Sequence, residues 1–201
     1  MMSPILEQTK GWYQVIMGFF IAAMTASLIS FAYYAATMST TDASCLLEPE
    51  TASIIFRWLS IFETDMNGTS TGAELIDSSL ASEFQLFDEG ATFGNPAPAL
   101  ASREAVYETV TANASAPAVV GVKYEILYIF SSCNVTGVRW QYSAFSAKTG
   151  NVTVPVGTPI RYLDTEYLQV DLKTRLIYNV TCSADIVNYY KQIGHDVLAA
   201  R

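Results

Sequence analysis

The stretch LIYNVTCSADIVNYYKQIG, residues 176–194, decides how the chain is read. Its first part, LIYNVTCSA, mixes β-branched and aromatic residues over a strand's length, and Asp185 stands where the strand gives way to a short final helix. An aspartate there has two readings. It caps the helix by accepting a backbone N–H, or it carries a proton at the mouth of a pocket. Asn179 and Asp185 share strand parity, so a glycan on Asn179 would turn Asp185 away from a pocket unless a bulge intervenes.

Upstream of that stretch the hydrophobic period is two. VGVKYEILYIFSS, GVRWQYSAF and TPIRYLDTEYLQV read as three long strands separated by Gly, Asn, Pro and Lys-Thr turns. Before them the period is helical. In EPETASIIFRWLSIFETDMNG, the residues Ile54, Ile55, Trp58, Leu59 and Phe62 form one apolar stripe, opened by Pro49 and closed by Asn67-Gly68. Thr71 and Glu74 have capping-box spacing for a second helix over 72–79, and Ser102 is the expected N-cap of a third, SREAVYETVTANAS; SEFQLFDEG between them is a short strand. Three helices followed by a meander of strands predict an α+β domain, with helices covering one face of a curved antiparallel sheet.

The chain has 201 residues, and its first 40 are of a different kind. No charged residue occurs between Lys10 and Asp42, and GWYQVIMGFFIAAMTASLISFAYYAA exceeds the roughly 20 apolar residues that cross a bilayer as a helix. Residues 1–11 are therefore expected as a cytosolic tail and 12–36 as a transmembrane signal-anchor. Residues 37–49 are expected as a stalk, and 50–201 as the globular domain. Cleavage of the segment as a signal peptide, after the small residues Ala32, Ala35, Ala36 or Ala43, is the alternative and would give a secreted protein.

Five of the seven Asn residues begin sequons, where chance would supply about one. Asn67, Asn113, Asn134, Asn151 and Asn179 thus predict a glycosylated domain in the secretory lumen or outside the cell, behind a single-pass, type II anchor. Three cysteines, Cys45, Cys133 and Cys182, fit an oxidising compartment with one disulfide and one thiol left over, in any of three pairings. The net charge is −8, and from Asp42 onward there are 10 basic against 18 acidic residues. That balance excludes nucleic acid as an expected partner. With one His and no CxxC spacing no metal is expected, and the scattered Gly residues form no nucleotide motif.

Chemistry is sought first on the strand Ile160–Val170. Its even positions place Asp164 and Glu166 among apolar and aromatic residues, where lost solvation raises a carboxyl pKa into a useful range. The plain alternative is that both acids are solvated or pair with Arg139 or Arg161. Trp58, Phe62, Tyr124, Tyr128, Tyr142 and Tyr162 are candidate pocket walls, although such rings more often fill a core. His195 lies too near the carboxyl terminus to serve a catalytic triad.

The order of these elements, with SREAVYETV after a Pro-rich loop, the turn VDLKTRLI and the closing strand–aspartate–helix, resembles the SnoaL-like domains of the nuclear transport factor 2-like superfamily. The resemblance spans about residues 50–194. It implies a cone-shaped fold with a deep pocket between three helices and a curved sheet. It implies Asp185 as general acid/base, as in SnoaL-like polyketide cyclases, with Glu166 near the position where those cyclases carry a histidine. The two histidines of scytalone dehydratase have no counterparts here. Also implied are cofactor-independent cyclisation, isomerisation or dehydration of a small hydrophobic molecule, of the polyketide or terpenoid kind, and pairing of two copies through the sheet. A non-catalytic ligand-binding or dimerisation module, and a secreted surface glycoprotein, are the alternatives.

Overall fold

The computed structural model describes residues 44–92, 94–111, 117–147 and 152–195. The expected tail and anchor lie outside these residues, as do Asn113 and Asn151; among the described residues no helix is long and apolar enough to cross a membrane. Ser44–Arg201 forms a compact unit.

Helix α1, Glu48–Ile61, carries Pro49 in its first turn, and Glu50 Oε2 accepts from Leu47 N at 2.9 Å. Its buried stripe is Ile54, Ile55, Trp58, Leu59 and Ile61. The helix stops well short of Asn67-Gly68. Asp65 Oδ1 takes the backbone N–H groups of Asn67 and Thr69 (2.8 and 2.9 Å), a local turn that competes with helix continuation. The second helix is a 3₁₀ turn, Ala73–Leu75, running into α2, Ile76–Ser79, without the side-chain cap expected from Thr71. Helix α3, Arg103–Thr111, is capped by Ser102 Oγ accepting from Ala105 N (3.1 Å).

Five strands form one sheet in the order β1 (Leu80–Asp88), β5 (Ile177–Cys182), β4 (Pro159–Val170), β3 (Val135–Ser146), β2 (Val119–Ser132). The expectation of an all-antiparallel sheet is corrected at one edge. β1 runs parallel to β5, with α3 and strands β2 to β4 in the crossover between them. Residues Val138, Trp140, Tyr142 and Ala144 of β3 and Ile160, Asp164, Glu166, Leu168 and Val170 of β4 are buried, the alternation of a sheet covered on one face.

Strand β2 bends twice. Gly121, at φ +64°, sits in the register shift between Val120 and Lys123, where a left-handed backbone suits only glycine. A second shift between Ile126 and Tyr128 reverses which side chains face inward. Tyr128 is consequently 57 % exposed, while Tyr124 and Ile126 pack on the core.

Residues 44–49, at the end of the expected stalk, are tied to the domain. Leu46 is buried and its N–H donates to Cys133 O at 3.0 Å. Cys45 is disulfide-bonded to Cys133 in the β2–β3 turn, 88 residues away, and Cys182 is the buried free thiol. Closing so long a loop restricts the unfolded chain strongly. Replacing Cys45 and Cys133 together by Ala is expected to cost about 2–5 kcal/mol, read in a thermal melt as a midpoint lower by about 5–15 °C.

Candidate active site

A cavity of about 310 Å³ opens between α1, α3 and the inner face of the sheet. Trp58 of α1 and Phe62, the residue that follows the helix, wall one side, with their rings edge to face at 4.8 Å. Tyr124, Trp140 and Tyr162 from three neighbouring strands wall the other; Trp140 stands edge-on to both tyrosines, at 4.9 and 5.8 Å. Asp164, Glu166, Cys182 and Asp88 contribute the polar part of the lining.

Register explains why these groups meet. Trp140 pairs with Asp164 across β3 and β4, and Glu166 pairs with Cys182 across β4 and β5. Because side chains alternate, Asp164 and Glu166 share the inner face, and oxygens of both lie within 4.8 Å of each other and of Cys182 Sγ. Asp164 is fully buried and Glu166 nearly so. Arg139 and Arg161 give them no ion pair. Both occupy odd strand positions, and Arg139 Nη1 donates to Thr165 Oγ1 at 2.8 Å.

The two carboxyls are held differently. Trp58 Nε1 reaches from the helix to donate to Glu166 Oε2 at 2.5 Å. Burial pushes Glu166 up to about 8; the neighbouring Asp164 adds to the rise, and the indoles of Trp58 and Trp140 oppose it. Trp140 Nε1 lies near enough to act on Glu166, yet it makes no hydrogen bond of good geometry among the described residues. Asp164 accepts from Thr165 N and from Cys182 Sγ, the latter at 2.8 Å. Burial raises it to about 6, against the pull of the thiol and the backbone N–H. Cys182 itself is pushed far up by burial and by the two acids, so the thiol keeps its proton. Burial likewise holds Tyr124 and Tyr162 in the phenol form.

Of the expected site residues, Asp164, Glu166, Trp58, Phe62, Tyr124 and Tyr162 come together around this cavity. Tyr142 stacks on Tyr162 at 4.6 Å from behind and does not line it. Tyr128 is on the opposite face of the sheet, for the reason of the second bulge.

Asp185 is also elsewhere. It is exposed, it caps α4 (Ile186–Gln192) by accepting from Asn188 N at 3.1 Å, and it borders a separate shallow depression with Arg139 and Arg161. The strand ends at Cys182, three residues earlier, so strand parity does not extend to Asp185 and the conflict with Asn179 disappears. Asn67 is exposed in the Asp65 turn, and Asn134 and Asn179 are half-buried. Cys182, Trp140 and Asp88 were not expected at the site. Trp140 has the inward parity of its neighbours Val138 and Tyr142, a signal present in the alternation of β3.

Asp164, Glu166 and Cys182 also form a set of side chains whose donor atoms are close enough to converge on a metal ion. The thiol proton and the donation to Asp164 satisfy the same atoms without one.

No family profile and no curated protein matches the sequence. Solved structures do match the fold. A candidate SnoaL-like polyketide cyclase from Jannaschia sp. CCS1 superposes at TM-score 0.55 and 9 % identity, over 73 % of this chain and 92 % of that one. IdmH, a candidate polyketide cyclase from Streptomyces antibioticus, gives 0.55 and 16 %, over 72 % and 99 %. An LEH-like epoxide hydrolase of M. tuberculosis gives 0.52 and 10 %, over 75 % and 89 %. At these identities the likeness is one of architecture: the described domain has the SnoaL-like, nuclear transport factor 2-like α+β fold, and its cavity lies between the helices and the sheet of that fold.

Proposed function

We propose that the domain is a cofactor-independent acid–base enzyme that cyclises, isomerises or dehydrates a small hydrophobic molecule, with Glu166 as proton donor and Asp164 as proton acceptor. One observation carries this reading. Two carboxyls stand side by side in an aromatic cavity, with no basic side chain among its lining residues. Their environments separate them: near neutrality Glu166, raised to about 8, holds its proton while Asp164, raised only to about 6, has mostly lost it.

In the proposed step Asp164 takes a proton from substrate carbon, and Glu166 O–H gives one to substrate oxygen, assisted by the unpaired N–H of Trp140. The step leaves Asp164 protonated and Glu166 ionised. Exchange of one proton between these neighbouring groups, directly or through a water, restores the starting state. The Cys182 thiol positions Asp164 and does not react, because its proton is engaged and its thiolate is disfavoured.

The membrane anchor, the luminal site and the sequon glycans belong to the same proposal. An anchored pocket would sit beside the phase in which greasy substrates concentrate. A homodimer through the outer face of the sheet is included as well, supported by the exposure of Tyr128, Phe130 and Tyr167 there.

Cells whose only copy carries Glu166→Gln or Asp164→Asn are expected to accumulate the same upstream metabolite as cells lacking the protein, because losing a general acid or base slows turnover about 10²–10⁴-fold. Asp185→Ala is expected to cost only about 1 kcal/mol of cap energy and to leave the metabolite profile unchanged. Accumulation in Asp185→Ala but not in Glu166→Gln would reverse the assignment.

Stability should depend on pH in a defined direction. Both folded pKa values lie above the ordinary 3.8 and 4.5, so the contribution of these carboxyls is complete below those values and is lost as pH rises through about 6 and about 8. Thermal melts should therefore show a midpoint falling between about pH 4 and about pH 8. Glu166→Gln should flatten the upper part of that slope.

A further inference from the structure

Trp140 Nε1 is a buried donor without an acceptor. Its side chain is only 3 % exposed, it belongs to the cavity wall, and among the described residues its N–H makes no hydrogen bond. A buried N–H left unpaired is costly, so the site has a use for a guest atom that carries a lone pair. Edge-on contacts with Tyr124 and Tyr162, at 4.9 and 5.8 Å, hold the indole in place, and strand register sets it beside Asp164.

Glu166 supplies a second donor at the same place. Burial keeps it protonated near neutrality, and Trp58 Nε1 donates to its Oε2, which makes Oε2 the carbonyl oxygen of the acid and puts the proton on Oε1. Trp140 lies near enough to act on this carboxyl. One O–H and one N–H thus stand together. A carbonyl oxygen, with two in-plane lone pairs and no hydrogen of its own, accepts from both.

The base and the charge narrow the guest further. Oxygens of Asp164 and Glu166 lie within 4.8 Å of each other on one face of β4. A carbonyl oxygen and a hydrogen on the neighbouring carbon lie along one edge of a molecule, so a single wall serves both. In-line opening of an epoxide instead needs the acid and the attacking group on opposite sides. No Lys, Arg or His lines the cavity and Asp88 adds a third carboxyl, so an anionic guest meets repulsion. A cationic guest would draw the proton from Glu166 and remove the acid. At about 310 Å³ the cavity is at the lower end of ligand pockets and suits one or two rings.

We infer that the substrate is a small neutral carbonyl compound, its oxygen bound between Trp140 N–H and Glu166 O–H and a hydrogen-bearing carbon beside C=O turned to Asp164. This names a substrate class for the site proposed above, and its catalytic step rests on that reading; the binding itself does not. Asp164 takes the hydrogen as a proton, the C–H pair becomes the C=C bond of an enol, the C=O π pair goes to oxygen, and oxygen takes the proton of Glu166. Trp140 donates throughout, more strongly as the oxygen gains charge, and so selects the oxygen.

The test uses the full chain in detergent, near neutral pH, and three guests of one shape: α-tetralone, its analogue with CH₂ in place of the oxygen, and the corresponding protonated amine. Calorimetric titration is expected to give the ketone a Kd at least about tenfold below those of the other two. Trp140→Phe, which keeps a ring in the wall, is expected to cut the advantage over the CH₂ analogue to about threefold or less. In heavy water the unmodified protein should speed deuterium exchange beside the carbonyl, followed by NMR, and Asp164→Asn should abolish the acceleration.

Equal binding of the ketone and the CH₂ analogue overturns the inference, since the indole N–H would then be served by water. Tighter binding of the amine overturns it also, and so does an unchanged preference in a folded Trp140→Phe. Preferred binding without accelerated exchange removes the carbonyl compound as substrate. The comparison among guests uses the unmodified protein, so a variant that misfolds does not affect it. Equal binding together with metabolite accumulation in Glu166→Gln sinks the carbonyl and leaves the acid–base reading standing. Preference for the ketone without that accumulation sinks the acid–base reading and leaves the binding.

Discussion

A carboxyl group sealed beneath a helix must find a donor or lose its charge, and the rest of this domain is arranged around how Glu166 meets that constraint. Its partner, Trp58, lies 108 residues away in sequence and comes from the only long helix among the described residues. The hydrogen bond fixes the height of α1 over the sheet at one point. Apolar contacts do the remaining work of holding it: Ile54, Ile55, Leu59 and Ile61 are buried in the same core as Leu168, Val170 and Ile177 of the sheet. The cavity is the space left where α1, α3 and the strands diverge, and the acids stand in its wall because even-numbered residues of β4 face inward.

Such an arrangement works against stability. Replacing buried polar groups with apolar residues of similar volume is often neutral or stabilising, so the presence of Asp164, Glu166 and Cys182 in one cluster is not accounted for by folding stability. The cluster is not a balanced ion pair, and among the described residues no arginine or lysine lines its cavity. It is a set of acids raised by desolvation to different degrees. Asp164 keeps a thiol and a backbone N–H to offset its burial; Glu166 keeps an indole and suffers the charge of Asp164. Proximity makes the pair titrate as a unit, with the two steps spread apart by these differences in support.

The sequence exposed the parts of this that depend on period alone. Alternation in TPIRYLDTEYLQV put Asp164 and Glu166 inward, and the spacing of Ile54, Trp58 and Leu59 gave the helix that covers them. It failed where a single residue changes the period. The extra residue between Ile126 and Tyr128 turned Tyr128 outward, and no local signal marks that bulge, whereas Gly121 marks the first one. Cys182 and Asp88 could not be placed without knowing that β5 lies between β4 and β1, a long-range pairing that leaves no trace in either strand. The parallel pairing of β1 was invisible for the same reason.

Asp185 shows why a family likeness and a physical reading can part. The likeness rests on the order strand, aspartate, helix, and that order is present. But an aspartate immediately before a helix already has a use, because the first turn leaves backbone N–H groups unpaired, and Asp185 accepts one of them from Asn188. To face the cavity it would have to give up that bond and turn from an exposed edge toward a wall already occupied by Ala184 and Ile186. The two buried carboxyls that face the cavity, Asp164 and Glu166, sit one strand away on β4, fixed by sheet register and not by a loop. In this fold an inward position of a neighbouring strand, desolvated and given a donor, can thus hold a carboxyl at the cavity wall where the end of the last strand does not.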